Sequence, residues 1–172
     1  MTTTFRETTC PGCGIRIPAD EHAVYDGYYK VSPECWMLCT QVLGAEFGNA
    51  LLYGQVHQLT VDAYAVQHAG GRHPDKSVAI HLCGLHLVLD RGFRPPRVPP
   101  LHKRLADTVK TWPHFTPPAD PGPLTVSDVA RAESIETHIE TVQGWARSVW
   151  QAWSPHHADV AAFAARHLGL DD

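Results

Sequence analysis

Cysteine and histidine are the residues in this chain with the clearest chemical potential. Four of the five cysteines stand within the first 39 residues, as Cys10-Pro-Gly-Cys13 and Cys35-Trp-Met-Leu-Cys39. Two cysteine pairs about twenty residues apart suit one tetrahedral zinc ion, because each short loop lets two sulfurs converge on it. In a reducing compartment such clustering points to metal or redox chemistry rather than to disulfides. Pro11 and Gly12 form a tight turn between the first two thiols, with Gly14 behind them, and this is the pattern of a zinc knuckle. Cys10, Cys13 and Cys35 are therefore assigned to metal. The fourth ligand stays open: Cys39 is one choice, His22 and His57 are its rivals, and Cys39 also reads as a small core residue beside Val42 and Leu43. Cys83 lies in an apolar helical pattern and reads as core.

The chain also has 12 histidines. In the run His57-Gln-Leu-Thr-Val-Asp62-Ala-Tyr64-Ala-Val-Gln-His68, a 4-3-4 spacing puts His57, Val61, Tyr64 and His68 on one helical face. At about 1.5 Å rise per residue the two histidines stand roughly 16 Å apart, so they cannot share one ion. His57 is expected to reach toward the cysteines. His68 is expected to meet His81 and the His156-His157 pair at the opposite pole, in a multi-histidine site with an open position for a catalytic divalent metal. Asp62 is a candidate base or partner to such a site, which makes Asp62 and His68 the catalytic candidates. Against this stands the plainer reading that each lone histidine satisfies a carbonyl or meets water and that Asp62 is an exposed carboxylate. No H-x-x-x-H or H-E-x-x-H pair is present, and no phosphate loop, nucleophile elbow or dinucleotide fingerprint appears.

The elements that must position these residues are helices. Ser32-Pro33-Glu34 reads as a helix start, with Ser32 as N-cap and Pro33 at the first helical position. That helix is expected to run to about Tyr53, a second from about Gln55 to Ala69 after a break at Gly54, and a third from about Asp75 to a stop at Gly92. A small hairpin is expected around Asp26-Gly27. Residues 94–123 hold nine of the 14 prolines, fit one short helix near Leu101 to Lys110, and read as a long crossover laid over the bundle. Thr125-Val-Ser-Asp128 looks like a capping signal for a long helix to about Trp153, followed by a last helix closed by Gly169. Trp145, Trp150 and Trp153 read as core anchors. The expected fold is mainly α, a bundle of four or five helices with an N-terminal zinc-knuckle segment and a Pro-rich crossover. The expected organisation is a single domain over residues 1–172: knuckle at 1–32, helices at 33–93, crossover at 94–124, C-terminal helices at 125–172.

A net charge of −4 without a dense basic tract argues against nucleic acid as a partner. No apolar run reaches the length of a membrane span, and the N-terminal Met-Thr-Thr-Thr-Phe-Arg-Glu lacks the core of a signal peptide. The expected setting is cytoplasmic, with a small-molecule or peptide ligand of unknown identity, no membrane partner, and a homodimer as a compatible assembly.

The strings CPGCG, SPECW, VHQLTVDAYAVQH, SVAIHL with LVLDRG, and WARSVWQAWSPHH together resemble an uncharacterised bacterial family, a domain of unknown function, over most of residues 10–157. The resemblance carries over Cys10, Cys13, Cys35, His57, Asp62, His68, His81, His156 and His157. It implies an aromatic residue where this chain has Cys39, which favours His57 or another histidine as the fourth ligand. It implies no activity or substrate. A looser likeness, bundle plus histidines, is to metal-binding four-helix proteins of the DinB type. Two functions follow: a zinc-dependent hydrolase or transferase working at a Cys/His site beneath the Pro-rich segment, or a structural-zinc interaction module that docks a partner through its Trp-rich end. A closed site with four protein ligands favours the second, and an open position facing a cavity favours the first.

Overall fold

The computed structural model describes residues 6–170; residues 1–5, part of the stretch read as lacking a signal-peptide core, lie outside it. The fold is mainly helical, with one two-stranded sheet at its N-terminal end. Strands β1 (Glu7–Thr9) and β2 (Arg16–Pro18) pair antiparallel, with Thr8 opposite Ile17. Their connection is the Cys10-Pro-Gly-Cys13 turn, closed by Cys10 N–H donating to the Ile15 carbonyl at 2.9 Å and Gly14 N–H donating to the Cys10 carbonyl at 2.9 Å. Gly14 takes φ +77°, a conformation that glycine adopts without steric cost. The hairpin is thus the knuckle itself. Around Asp26-Gly27, where a hairpin was expected, the chain only bends, and the Tyr25 hydroxyl accepts from Tyr29 N–H at 2.8 Å.

Helix α1 (Pro33–Phe47) begins as the sequence suggests: Ser32 Oγ accepts from Cys35 N–H at 3.2 Å and Pro33 occupies the first turn, where no donor is needed. It ends at Gly48, earlier than expected, because Asn49 caps a new start. Asn49 Oδ1 accepts from the amides of Leu51 (3.0 Å) and Leu52 (3.1 Å), opening α2 (Ala50–Leu52). A π-helical turn (Tyr53–His57) then leads without a break into α3 (Gln58–Gln67), so Gly54 lies inside a helical run rather than between two helices. Helix α4 (Asp75–Leu89) follows, and a 3₁₀ turn (Pro95–Arg97) feeds α5 (Val98–Thr108), the one helix of the Pro-rich stretch. Two capping boxes divide what reads as one long helix. Thr125 with Asp128 opens only α6 (Val126–Ala130), and Ser134 with Thr137 opens α7 (Ile135–Ala152). A 3₁₀ turn (Ser154–His156) and α8 (His157–Leu168) complete the chain, ended by Gly169 at φ +63°.

Helices α3 and α4 form the central pair, joined by a short loop. Helix α7 packs on α3, α5 and α8 pack on α4, and α6 covers α1. The core between them includes Trp145, Trp153, Tyr64, Leu82 and Leu85, each under 2% exposed. Burying such side chains is worth roughly 1.5–3 kcal/mol each, which makes the central pair the most firmly held part of the fold. Among the described residues no helix is long and apolar enough to cross a membrane.

Candidate metal centre

Four side chains from three parts of the chain meet at one end of the bundle. The knuckle turn supplies Cys10 and Cys13, the first turn of α1 supplies Cys35, and His68 comes from the residue that caps the end of α3. All four are buried, and their ligand atoms lie within 4.8 Å of one another. Cys13 Sγ is 3.8 Å from Cys35 Sγ, and Cys35 Sγ is 3.6 Å from His68 Nε2. Zinc with Zn–S near 2.3 Å and Zn–N near 2.0–2.1 Å, arranged tetrahedrally, sets S–S edges of about 3.8 Å and S–N edges of about 3.5 Å. These two edges match that tetrahedron, and the cluster can hold a metal ion.

The surrounding contacts fix the ligand atoms. His68 Nδ1–H donates to the Tyr64 carbonyl at 2.8 Å, one turn back, which leaves Nε2 as the lone-pair nitrogen facing the sulfurs. The Tyr64 hydroxyl lies 3.4 Å from Cys35 Sγ. Burial, then the neighbouring Cys35 charge, raises the pKa of Tyr64 far above the ordinary phenol value, so it stays protonated and can donate to a thiolate. The knuckle seats closely: a Cβ on Gly12 would overlap the Lys30 carbonyl and come within 2.5 Å of the His68 ring, so only glycine lets the turn lie there. Lys30 N–H in turn donates to the His68 carbonyl at 3.0 Å. Among the thiols themselves, hydrogen bonds from Cys13 and then Cys35 draw Cys10 far below the usual thiol range. The shared hydrogen bond with Cys10 pushes Cys13 up to about 12, and bonds with Cys10 and Cys13 push Cys35 higher still. A bound divalent cation would stabilise the thiolate form of all three sulfurs.

Of the fourth ligands named, Cys39, His22 and His57, the structure chooses none, and the place goes to another histidine, His68. Cys39 is fully buried one helical turn beyond Cys35, among core side chains, and burial followed by the Glu46 charge pushes its thiol up. His22 is exposed beside Glu21. His57 sits at the other end of its helical run, where Nδ1–H donates to Glu46 Oε2 at 3.1 Å. The correction is one of direction. In an antiparallel hairpin the start of α1 meets the end of α3, so Cys35 meets His68 and the middle of the molecule separates both from His57.

The expected site from His68, His81, His156 and His157 is not assembled either. His156 Nε2–H donates to the Thr116 carbonyl at 3.0 Å. His157 stacks on Trp150 at 3.9 Å and donates to that residue's carbonyl at 2.8 Å. His157 thus fastens the α7–α8 junction, and His156 ties that junction to the Pro-rich stretch. His81 instead faces Asp62, its Nδ1–H donating to Oδ1 at 2.7 Å, and His102 of α5 joins them in a second group whose ligand atoms also lie within 4.8 Å of one another. Asp62, expected either to act or to be exposed, is completely buried.

A third polar cluster fills the opposite pole. Glu46, fully buried, accepts from Thr60 Oγ1 at 2.6 Å, from His138 Nε2–H at 2.9 Å and from His57 Nδ1–H at 3.1 Å. Three donors satisfy this carboxylate and tie α1, the π turn, α3 and α7 together. Glu46, His102 and His138 were missed as site residues, yet periodicity marks each of them. Glu46 continues the 35-39-42 face, His102 lies four residues after Val98 and three before Leu105, and His138 begins a 138-142-145-149 face.

The Pro-rich stretch lies beside the Cys/His cluster without opening it. A cleft of about 290 Å³ is lined by Pro11, Gly12, Lys30, Gln67, Pro117 and Pro121 among others, and by none of the four ligands. Gln67 clamps that stretch: its Nε2 donates to the carbonyls of Pro121 (3.2 Å) and Leu124 (2.8 Å), while its Oε1 accepts from Trp145 Nε1–H at 3.0 Å.

No curated protein and no solved structure matches the chain. One family model matches residues 8–154, a span that takes in the knuckle, α1 to α7 and all four residues of the buried cluster. The resemblance to an uncharacterised family is thereby borne out, and the chain belongs to DUF5946, a family of unknown function.

Proposed function

We propose that the protein is a zinc protein in which Cys10, Cys13, Cys35 and His68 hold one structural ion. The observation that carries this reading is closure. The four donors come within 4.8 Å of one another, and their exposures are 1%, 8%, 0% and 0%, so a tetrahedral ion would have every position filled by protein. Thiolate and imidazole donors are those that zinc prefers, and the S–S and S–N separations fit its bond lengths. A hydrolase or transferase working at this centre would need an open position facing a cavity, and the neighbouring cleft touches no ligand.

The role that follows is mechanical. The ion would bind the knuckle, α1 and α3 into one unit, adding its binding free energy to the folding of an N-terminal segment that has little core of its own. Trp145, Trp150 and Trp153 are 0%, 5% and 1% exposed, so these indoles serve the core rather than a docking face. A reducing, cytoplasmic setting suits the reading, because all five cysteines are free. The test is elemental analysis of protein purified without added metal, together with X-ray absorption at the metal edge. About one zinc per chain with three sulfur and one nitrogen neighbours is expected. A chain nearly free of zinc overturns the reading, and a centre with an exchangeable water in place of one ligand restores the catalytic alternative.

A further inference from the structure

The second group stands apart from the cysteines and differs from them in one physical respect: its polar atoms are not all paired. Asp62 of α3 is 0% exposed. Its Oδ1 accepts from His81 Nδ1–H at 2.7 Å and from Gln58 Nε2–H at 2.9 Å, but its Oδ2 is buried with no hydrogen-bond partner. His102 of α5 approaches the same carboxylate, Nε2 lying 3.9 Å from Oδ1, and that nitrogen is likewise buried and unpartnered. Leaving such groups unpaired costs about 1–3 kcal/mol each, more for a charged group. Glu46 at the other pole has three donors, so this fold is able to satisfy a buried carboxylate and at Asp62 does so by half only.

The two unpaired atoms face one space. Gly84 lies on α4 one turn after His81, and a Cβ there would overlap Asp62 Oδ2 and stand 2.6 Å from His102 Nε2. A glycine inside a helix costs about 1 kcal/mol relative to alanine, so its place at this point of α4 belongs with the room it leaves. The donor set is one carboxylate and two imidazoles, drawn from three helices, with His81 and His102 set edge to face at 5.5 Å. That combination suits divalent transition metals and leaves coordination positions for other ligands.

We propose that Asp62, His81 and His102 form a second metal site, for a divalent transition-metal ion, independent of the cysteine centre. Oδ2 and His102 Nε2 supply the unpaired donors. His81 binds through Nδ1 once its proton moves to Nε2, the ion then taking the place of the His81–Asp62 hydrogen bond. Three protein donors leave coordination positions open, and the imidazoles, 15% and 12% exposed against a fully enclosed carboxylate, mark the side nearer solvent. This is the opposite of the closed cysteine centre, and it makes α5, the helix of the Pro-rich crossover, the carrier of a ligand.

Cobalt separates the two sites. Co²⁺ bound by thiolates shows strong charge-transfer absorption in the near ultraviolet, whereas Co²⁺ bound by one carboxylate and two imidazoles shows only weak visible bands. Protein prepared with a single zinc per chain, held in the cysteine centre, and then titrated with Co²⁺ is expected to take up one equivalent with visible bands and no charge transfer. His102→Gln and Gly84→Ala are each expected to abolish those bands while retaining the original zinc. Wild-type protein that takes up no Co²⁺ under these conditions overturns the proposal, as do visible bands that persist in both variants. Charge-transfer absorption reports the cysteine centre separately, so failure of either assignment is read without the other.

Discussion

At the residue scale, the choice of His68 over the other ligands follows from what its second nitrogen does. A histidine whose Nδ1–H is held by a carbonyl one turn back presents Nε2 in a fixed direction, and at His68 that direction is toward Cys35 Sγ, 3.6 Å away. His68→Ala is therefore expected to release most of the metal and to lower the melting temperature, while His57→Ala and Cys39→Ala keep the metal in place; elemental analysis and thermal melts of the three variants check this. Cysteine reactivity should divide the same way. Burial and then the Asp62 charge push Cys83 up to about 12, so at pH 8 the thiol stays protonated. In folded protein Cys83 and Cys39 are expected to resist iodoacetamide over times at which an exposed thiol is consumed, and both should react once the chain is denatured; mass spectrometry of the labelled peptides reads the outcome.

At the scale of elements, Gln67 shows how a long irregular segment is held without secondary structure of its own. Its amide donates to two carbonyls of the crossover and accepts from the buried Trp145 indole, so one side chain joins α3, α7 and residues 121–124. Gln67→Ala leaves a buried indole N–H unpaired and is expected to cost about 1–3 kcal/mol, and Gln67→Glu, which sets a carboxylate against the two carbonyl oxygens, is expected to cost at least as much. Denaturant melts give the magnitude, and faster proteolysis between Pro113 and Pro123 would locate it. The element boundaries have a similar local logic. Gly48 and Gly54 are equal in the sequence as helix breakers, and what ends α1 at Gly48 is the Asn49 side chain behind it, which accepts from two amides of the next helical turn.

For the molecule as a whole, the candidate metal centre joins the main core at one end, through Tyr64. The central pair α3 and α4, with α7 and α8 against them, buries large side chains from Tyr64 to Trp153. The knuckle has only its short hairpin and a cluster of sulfurs. Chelation is therefore expected to loosen residues 6–31 and the first turn of α1 while the central helices keep their protection; hydrogen exchange with and without a strong chelator measures the difference. Loss of protection across α3, α4 and α7 together would show instead that the ion supports the entire fold.

Cys10, Cys13 and Cys35 could be read from the sequence because their convergence rests on short-range geometry: a Pro-Gly turn and a capped helix start. The helical class, the capping residues Ser32 and Thr125 and the inward face of the helix carrying His68 rest likewise on local chemistry and period. Which histidine would close the cysteine site was not local, because His57 and His68 share one face and only the antiparallel return of the chain decides which end meets Cys35. The same holds for Asp62, His81 and His102. Each lies on its own helix at a legible position, but a carboxylate with an unpaired oxygen, facing an unpaired imidazole across Gly84, exists only where α3, α4 and α5 pack together.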